Sequence, residues 1–142
     1  MQVFMPYPQL KVSVSCLDNR RLGNQVYREG LTLIRGFWPN HPCSTIWRNH
    51  KHALAKYCLF GLEELERRGK NYPKWFDYFN NCLKEFPDNG LPAIIGDEKF
   101  HLSHKSNLIR KNPAHYRPIF GMDIPNDIPY YWSKSNSQQH LP

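Results

Sequence analysis

A chain of 142 residues, 40% hydrophobic and 14% aromatic, is long enough for a buried core and points to one globular domain. Nineteen Lys and Arg against 12 Asp and Glu leave a net charge of +7, which attracts polyanions and favours nucleic acid among possible partners. No stretch approaches the ~20 apolar residues of a membrane span, and MQVFMPYPQL lacks a basic segment ahead of an apolar run, so neither a membrane span nor a signal peptide is expected. Cys16, Cys43, Cys58 and Cys82 lie far apart with no CxxC, which supports neither a zinc ribbon nor a redox pair; four cysteines could make two disulfides, but nothing else reads as secreted, and a reducing, cytoplasmic setting is the expectation.

Pro6 and Pro8 predict that residues 1–15 are extended. Val3, Phe4 and Met5 are expected to dock this segment on the body, which gives the α-amine a fixed position; simple core anchoring is the commoner reason for such a segment. Asp18 is the expected N-cap of a first helix over residues 18–36. Leu22, Val26 and Leu33 form its core stripe, and Glu29 completes the same spacing. A carboxylate on a core seam is costly unless paired, and burial raises its pKa. Arg21, Arg28 and Arg35 recur every seven residues beside it, and Gly23 and Gly30 interrupt the helix at about 1 kcal/mol each relative to Ala. Carboxylate, arginines and glycines together suggest a place where something anionic comes close.

Phe37, Trp38, Pro39, Asn40, His41 and Pro42 make an aromatic, proline-punctuated connection. A second helix is expected over residues 44–68, with Trp47, Leu54, Cys58, Leu62 and Leu65 buried and His50 on the same seam. Pro73 opens a third helix to residue 86, with Phe76, Phe79, Leu83 and Phe86 on its apolar face, and PDNGLP breaks the chain. The fourth helix, residues 97–112, turns Phe100, His104 and Leu108 inward, and PAHYRPIFG reads as a short turn. Tyr130, Tyr131 and Trp132 are expected to pack back on the body. No stretch alternates at strand period. The expectation is an all-α, compact, irregular helical bundle with one basic face, a single domain over 1–132 and a polar, mobile tail over 133–142.

No metal signature is present: His50 and His52, and His101 and His104, lack the spacing of a zincin helix. There is no phosphate-binding loop, dinucleotide fingerprint or nucleophile elbow. A basic, aromatic nucleic-acid surface is better supported. Arg20, Arg21, Lys105, Arg110, Lys111 and Arg117 lie among Asn, Ser, His and Tyr residues that bond phosphate oxygens. Trp38, Tyr116 and Trp132 are candidates to stack on bases or wedge between them, although most such aromatics belong to the core. Glu29 is the candidate catalytic group. Its alternative is a buried carboxylate paired with Arg48, Arg28 or a histidine for structural reasons, and the pattern leaves both open.

LDNRRLGNQ, YREGL, the WPNHP segment and HLSHKSNLIRKNPAHYRPIFG resemble the pyrimidine-dimer DNA glycosylase family of phage endonuclease V type. The likeness to its bacterial and phage relatives covers most of the chain. The likeness to the characterised phage enzyme rests on a Tyr-Arg-Glu in the first helix and a C-terminal aromatic, basic run ending in Phe-Gly. The resemblance implies a bifunctional glycosylase and apurinic/apyrimidinic lyase, acting on pyrimidine dimers or another damaged or modified base in duplex DNA with no metal or cofactor. It implies that an N-terminal α-amine attacks the sugar C1′ and forms a Schiff base, and that β-elimination then nicks the strand. The assisting glutamate, carried over by motif, is Glu29, with Arg28 beside it as a phosphate or base contact. An α-amine serves at neutral pH without the strong tuning a lysine needs.

The characterised enzyme exposes a threonine amine, whereas Gln2 stands here, after which methionine is ordinarily retained. The amine therefore belongs to Met1 or to Gln2, or the lyase step is absent and water acts instead. Arg20, Arg21, Arg28, Lys105, Arg110, Lys111 and Arg117 are expected at the DNA, with His41, His50 and His104 supporting the reacting groups. The expected setting is a monomer on double-stranded DNA in a bacterial or phage-infected cytoplasm. The alternatives are a non-catalytic nucleic-acid-binding protein on the same scaffold, or an interaction protein whose basic face meets an acidic partner.

Overall fold

Nine irregular residues precede α1 (Leu10–Ser15) in the computed structural model, which describes residues 1–132. A continuous rod follows: α2 (Asn19–Asn24), a π-helical segment (Gln25–Gly30) and α3 (Leu31–Ile34). Then come α4 (Pro42–Trp47), α5 (Lys51–Arg67), α6 (Pro73–Glu85), α7 (Glu98–Lys111) and α8 (Pro113–Phe120). The fold is all-α, with no strand among the described residues. The tail expected to be mobile, 133–142, lies outside them. No helix among the described residues is long and apolar enough to cross a membrane.

The core is the seam between α5 and the rod. Leu22 and Val26 are fully buried against it, as are Leu54, Cys58 and Leu62 on α5. The closest approach depends on a glycine from each side. A Cβ on Gly30 would stand 2.4 Å from the Cys58 sulfur and 2.7 Å from the Gln25 carbonyl oxygen, and one on Gly61 would stand 2.7 Å from Val26 Cγ2. Gly30 therefore serves helix packing, not the approach of an anion.

The π turn also corrects the expected place of Glu29. A wider turn takes up extra backbone and shifts the face each later residue presents. After Leu22 and Val26 the next buried position is Gly30, and Glu29 moves to the half-exposed margin of the core. Asp18 stands at the N-cap position of α2, but its carboxylate makes no cap bond. It pairs with Arg21 at 3.2 Å and accepts from the Tyr116 hydroxyl.

Three further boundaries differ from expectation. Residues 1–15 are not extended throughout, because α1 begins just past Pro8, with the Ser13 hydroxyl bonded back to the Tyr7 carbonyl at 2.9 Å. The second helix is two, divided at residues 48–50, where His50 adopts non-helical φ and ψ and its Nδ1 lies 3.1 Å from the Gly90 carbonyl. The turn after Pro113 is the helix α8, with proline in its first turn and the Asn112 side chain capping it. Phe100, His104 and Leu108 face inward on α7 as its period requires.

The last described segment returns as a strap over α7. Ser106 Oγ accepts from the Ile128 N–H at 3.0 Å, Asn107 Nδ2 donates to the Ile128 carbonyl at 3.0 Å, and Ser103 Oγ accepts from the Tyr131 N–H at 3.2 Å. These polar residues of α7 are buried and hold the chain's own backbone. Tyr130, Tyr131 and Trp132 thereby pack against the core.

Candidate active site

Residues 2–5 run through the interior with scarcely any exposure, so their backbone needs partners from side chains. Gln25 supplies two, its amide acting like a neighbouring peptide group. Its Oε1 accepts from the Phe4 N–H at 2.7 Å, and its Nε2 donates to the Gln2 carbonyl at 2.9 Å. The buried Tyr57 hydroxyl donates to the Phe4 carbonyl at 2.8 Å.

Two histidines of α7 clamp Met5 from opposite sides in opposite tautomers. His101 Nε2 accepts from the Gly96 N–H at 2.9 Å, so its proton is on Nδ1, which donates to the Met5 carbonyl at 2.6 Å. His104 Nδ1 accepts from the Met5 N–H at 2.8 Å, leaving its proton on Nε2, buried without a partner. Burial, and secondarily the nearby His101, pushes the His104 pKa down to about 3, so the ring is neutral at working pH.

The segment so held leads directly to a cavity of about 330 Å³ walled by Met1, Gln2, Arg20, Arg21, Asn24, Gln25, Glu29, Lys111 and Tyr130. Arg21, Gln25 and Glu29 follow at intervals of four along the rod. The residue that anchors the N-terminal segment is thus one turn from the carboxylate. Among the described residues Glu29 has no ion-pair partner, and Arg48 donates instead to the Pro39 carbonyl. Cys43 is within electrostatic reach of both the N-terminal amine and Glu29. Burial dominates its titration and lifts the thiol to about 12. His41 caps α4, its Nδ1 accepting from the Cys43 N–H at 3.0 Å, and its ring meets Trp132 edge-on at 5.8 Å. Its pKa is lowered by burial first and by the nearby positive amine second.

The fold gathers six of the candidate residues around this one space: Met1, Gln2, Arg20, Arg21, Glu29 and Lys111. It sends the others elsewhere. Arg28 is exposed beside Glu29 and does not line the cavity. Lys105 stands over the Tyr7 ring at 4.7 Å. Arg110 donates to the Asn126 carbonyl at 2.9 Å, and Arg117 to the carbonyls of Gly121, Met122 and Ile124. His104 lies behind the N-terminal segment, bonded to Met5, and His50 holds the loop at Gly90. Tyr116 is core, whereas Trp38 is exposed. Gln25, Tyr57, His101 and Tyr130 were not among the candidates. For Gln25 a signal existed: a polar residue next to Val26 on the buried face of the rod.

The family model for pyrimidine dimer DNA glycosylase matches residues 1–84. Nothing among curated proteins or solved structures matches. The matched stretch carries Met1, Arg20, Arg21, Gln25, Glu29 and Tyr57, while His101, His104, Lys111 and Tyr130 lie beyond it. With more than half of its 142 residues matched, the chain belongs to the pyrimidine dimer DNA glycosylase family.

Proposed function

We propose that the protein excises a pyrimidine dimer or a related altered base from duplex DNA and then nicks the strand, with an N-terminal amine as nucleophile and Glu29 as the proton-transfer group. One observation carries this reading: Met1 and Glu29 share a cation-rich cavity, and the backbone behind Met1 is pinned residue by residue. The amine nitrogen attacks C1′ as the glycosidic C–N bond breaks, and the base leaves with the bonding pair and takes up a proton. The amine then releases a proton, the C1′–O4′ bond opens with O4′ protonated, and a protonated imine remains. The Glu29 carboxylate removes a C2′ proton, and the 3′ phosphate departs by β-elimination. Arg20, Arg21 and Lys111 hold phosphates around the sugar, and the target nucleotide leaves the stack to reach them. Met1, where retained, supplies the amine; where it is removed, Gln2 does.

Borohydride added to protein and a duplex bearing a dimer or an abasic site tests this. The expected result is a covalent protein–DNA adduct that disappears when the α-amine is blocked. No adduct with either duplex removes the amine mechanism, and base release without an adduct leaves a glycosylase acting through water. Glu29→Gln should bind duplex within about threefold of wild type and lose about 10²- to 10⁴-fold in cleavage. Parallel loss of fold and binding would instead make Glu29 structural.

A further inference from the structure

Phe37 and Trp38 form an exposed aromatic tip, 58% and 67% accessible, between α3 and α4. Single exposed apolar side chains are ordinary, but two adjacent large rings in solvent are a contact surface awaiting an occupant. Trp38 also has φ of 56°, the one non-glycine residue in the left-handed region among those described. A bulky side chain is disfavoured there and persists where its surroundings impose it. Here they do. The Phe37 N–H donates to the Thr32 carbonyl and the His41 N–H to the Trp38 carbonyl, each at 3.1 Å, and Arg48 holds the Pro39 carbonyl. The backbone of the tip is fixed while both rings stand free.

Charge identifies the occupant. No Asp or Glu occurs between Glu29 and Glu63, a stretch that contains Arg35, Arg48 and Lys51. Arg35 and Arg48 are exposed; Arg35 lies over the Tyr78 ring at 5.7 Å with Glu85 on the same cavity wall, and the Lys51 ammonium lies over the Phe86 ring at 5.3 Å and 3.9 Å from where a Gly36 Cβ would be. Exposed aromatic rings on a stretch rich in cations and free of carboxylates match stacked bases flanked by phosphates. A short path joins the tip to the cavity wall: His41, three residues after Trp38, accepts from the Cys43 N–H, and the Cys43 thiol lies 3.7 Å from the Gln2 Oε1.

We propose that Trp38, backed by Phe37, is a wedge that enters the base stack beside the target nucleotide, with the positive charge of Arg35, Arg48 and Lys51 facing the adjoining phosphates. The wedge opens the stack so that C1′ reaches the amine. It rests on the reading of duplex DNA as the substrate.

The test uses a duplex with 2-aminopurine next to an abasic-site analogue. Wild type should raise the 2-aminopurine fluorescence on binding. Trp38→Ala should abolish the rise and weaken binding roughly tenfold or more, and Trp38→Phe should retain most of both. Because the ring is exposed, thermal unfolding of the variants should match wild type. Cleavage of a single-stranded lesion substrate, which has no duplex stack to open, should change less than about threefold. A Trp38→Ala protein that binds and brightens the duplex like wild type, while wild type still forms the borohydride adduct, overturns the wedge and leaves the catalytic reading intact. Wild type that neither binds nor is trapped overturns both. Self-association lost in Trp38→Ala with DNA binding unchanged assigns the tip to a second copy of the chain and also overturns the wedge.

Discussion

Residues 1–5 and 36–40 are irregular stretches of equal length, and they are built in opposite ways. The first is buried, and peptide groups of Gln2, Phe4 and Met5 bond to side chains of Gln25, Tyr57, His101 and His104. The second is exposed, and only its backbone is held, leaving two rings in solvent. A nucleophile gains from small positional error, whereas a group that enters the stack needs reach and a free face. On the roles proposed above, the two kinds of loop answer those two demands.

The strongest way to break the contrast is Gln25→Ala. It leaves the Phe4 N–H and the Gln2 carbonyl without their partner, so stability should fall by about 3 kcal/mol in urea unfolding. Cleavage by the folded protein should fall by about 100-fold as the amine loses its fixed place. Unchanged cleavage would mean that the anchoring of residues 2–5 does not position the amine.

Acid gives a second, smaller effect. Folded His104 titrates at about 3 against an ordinary 6.5, so on acidification the unfolded chain binds this proton first. Stability from this group is complete above about 6.5 and declines as pH falls toward 3, by up to about 1.4 kcal/mol per unit. Unfolding free energies from urea titrations at pH 7 and pH 5 should differ by about 2 kcal/mol, and His104→Gln should flatten that difference. Equal slopes in both proteins would remove His104 from the clamp.

Gly30→Ala pushes on the first stretch from behind, since the new methyl meets the Cys58 sulfur and the Gln25 carbonyl. Overpacking there should cost about 1–2 kcal/mol, with cleavage lowered less than in Gln25→Ala. Trp38→Gly should leave stability within about 0.5 kcal/mol, relief of the left-handed backbone offsetting the freer unfolded chain. A loss above about 2 kcal/mol would make Trp38 a packing residue and erase the difference between the two loops.

Much of this architecture is visible in periodicity. The long helices α5, α6 and α7 and their inward faces follow from apolar spacing, as does the docking of Val3, Phe4 and Met5. Glu29 stood out because a 3.6-residue period placed it in the core. A π turn does not announce itself in such a pattern, and it is what brings Glu29 to the cavity wall. The division at residues 48–50 carries no Pro or Gly to mark it. Spacing also gives no account of where a long cation ends. Lys111 reaches the cavity, while Lys105, Arg110 and Arg117 of the same basic region turn to rings and carbonyls of their own chain. Ser103, Ser106 and Asn107 read as phosphate donors until the returning strap is seen to use them.

The clamp on Met5 joins positions 96 and 99 residues apart along the chain. Closing so long a loop comes late, after local helices have formed. Residues 2–5 therefore have their full set of partners only when α7 has been made and has folded against Met5. A fragment ending at residue 84 would hold Glu29, Gln25 and the amine in one chain and still lack the two rings that seat the segment. On the proposed reading, the site's assembly is in this sense a checkpoint on completion of the fold, with the proposed reacting groups near one end of the chain and part of their anchoring supplied from the other.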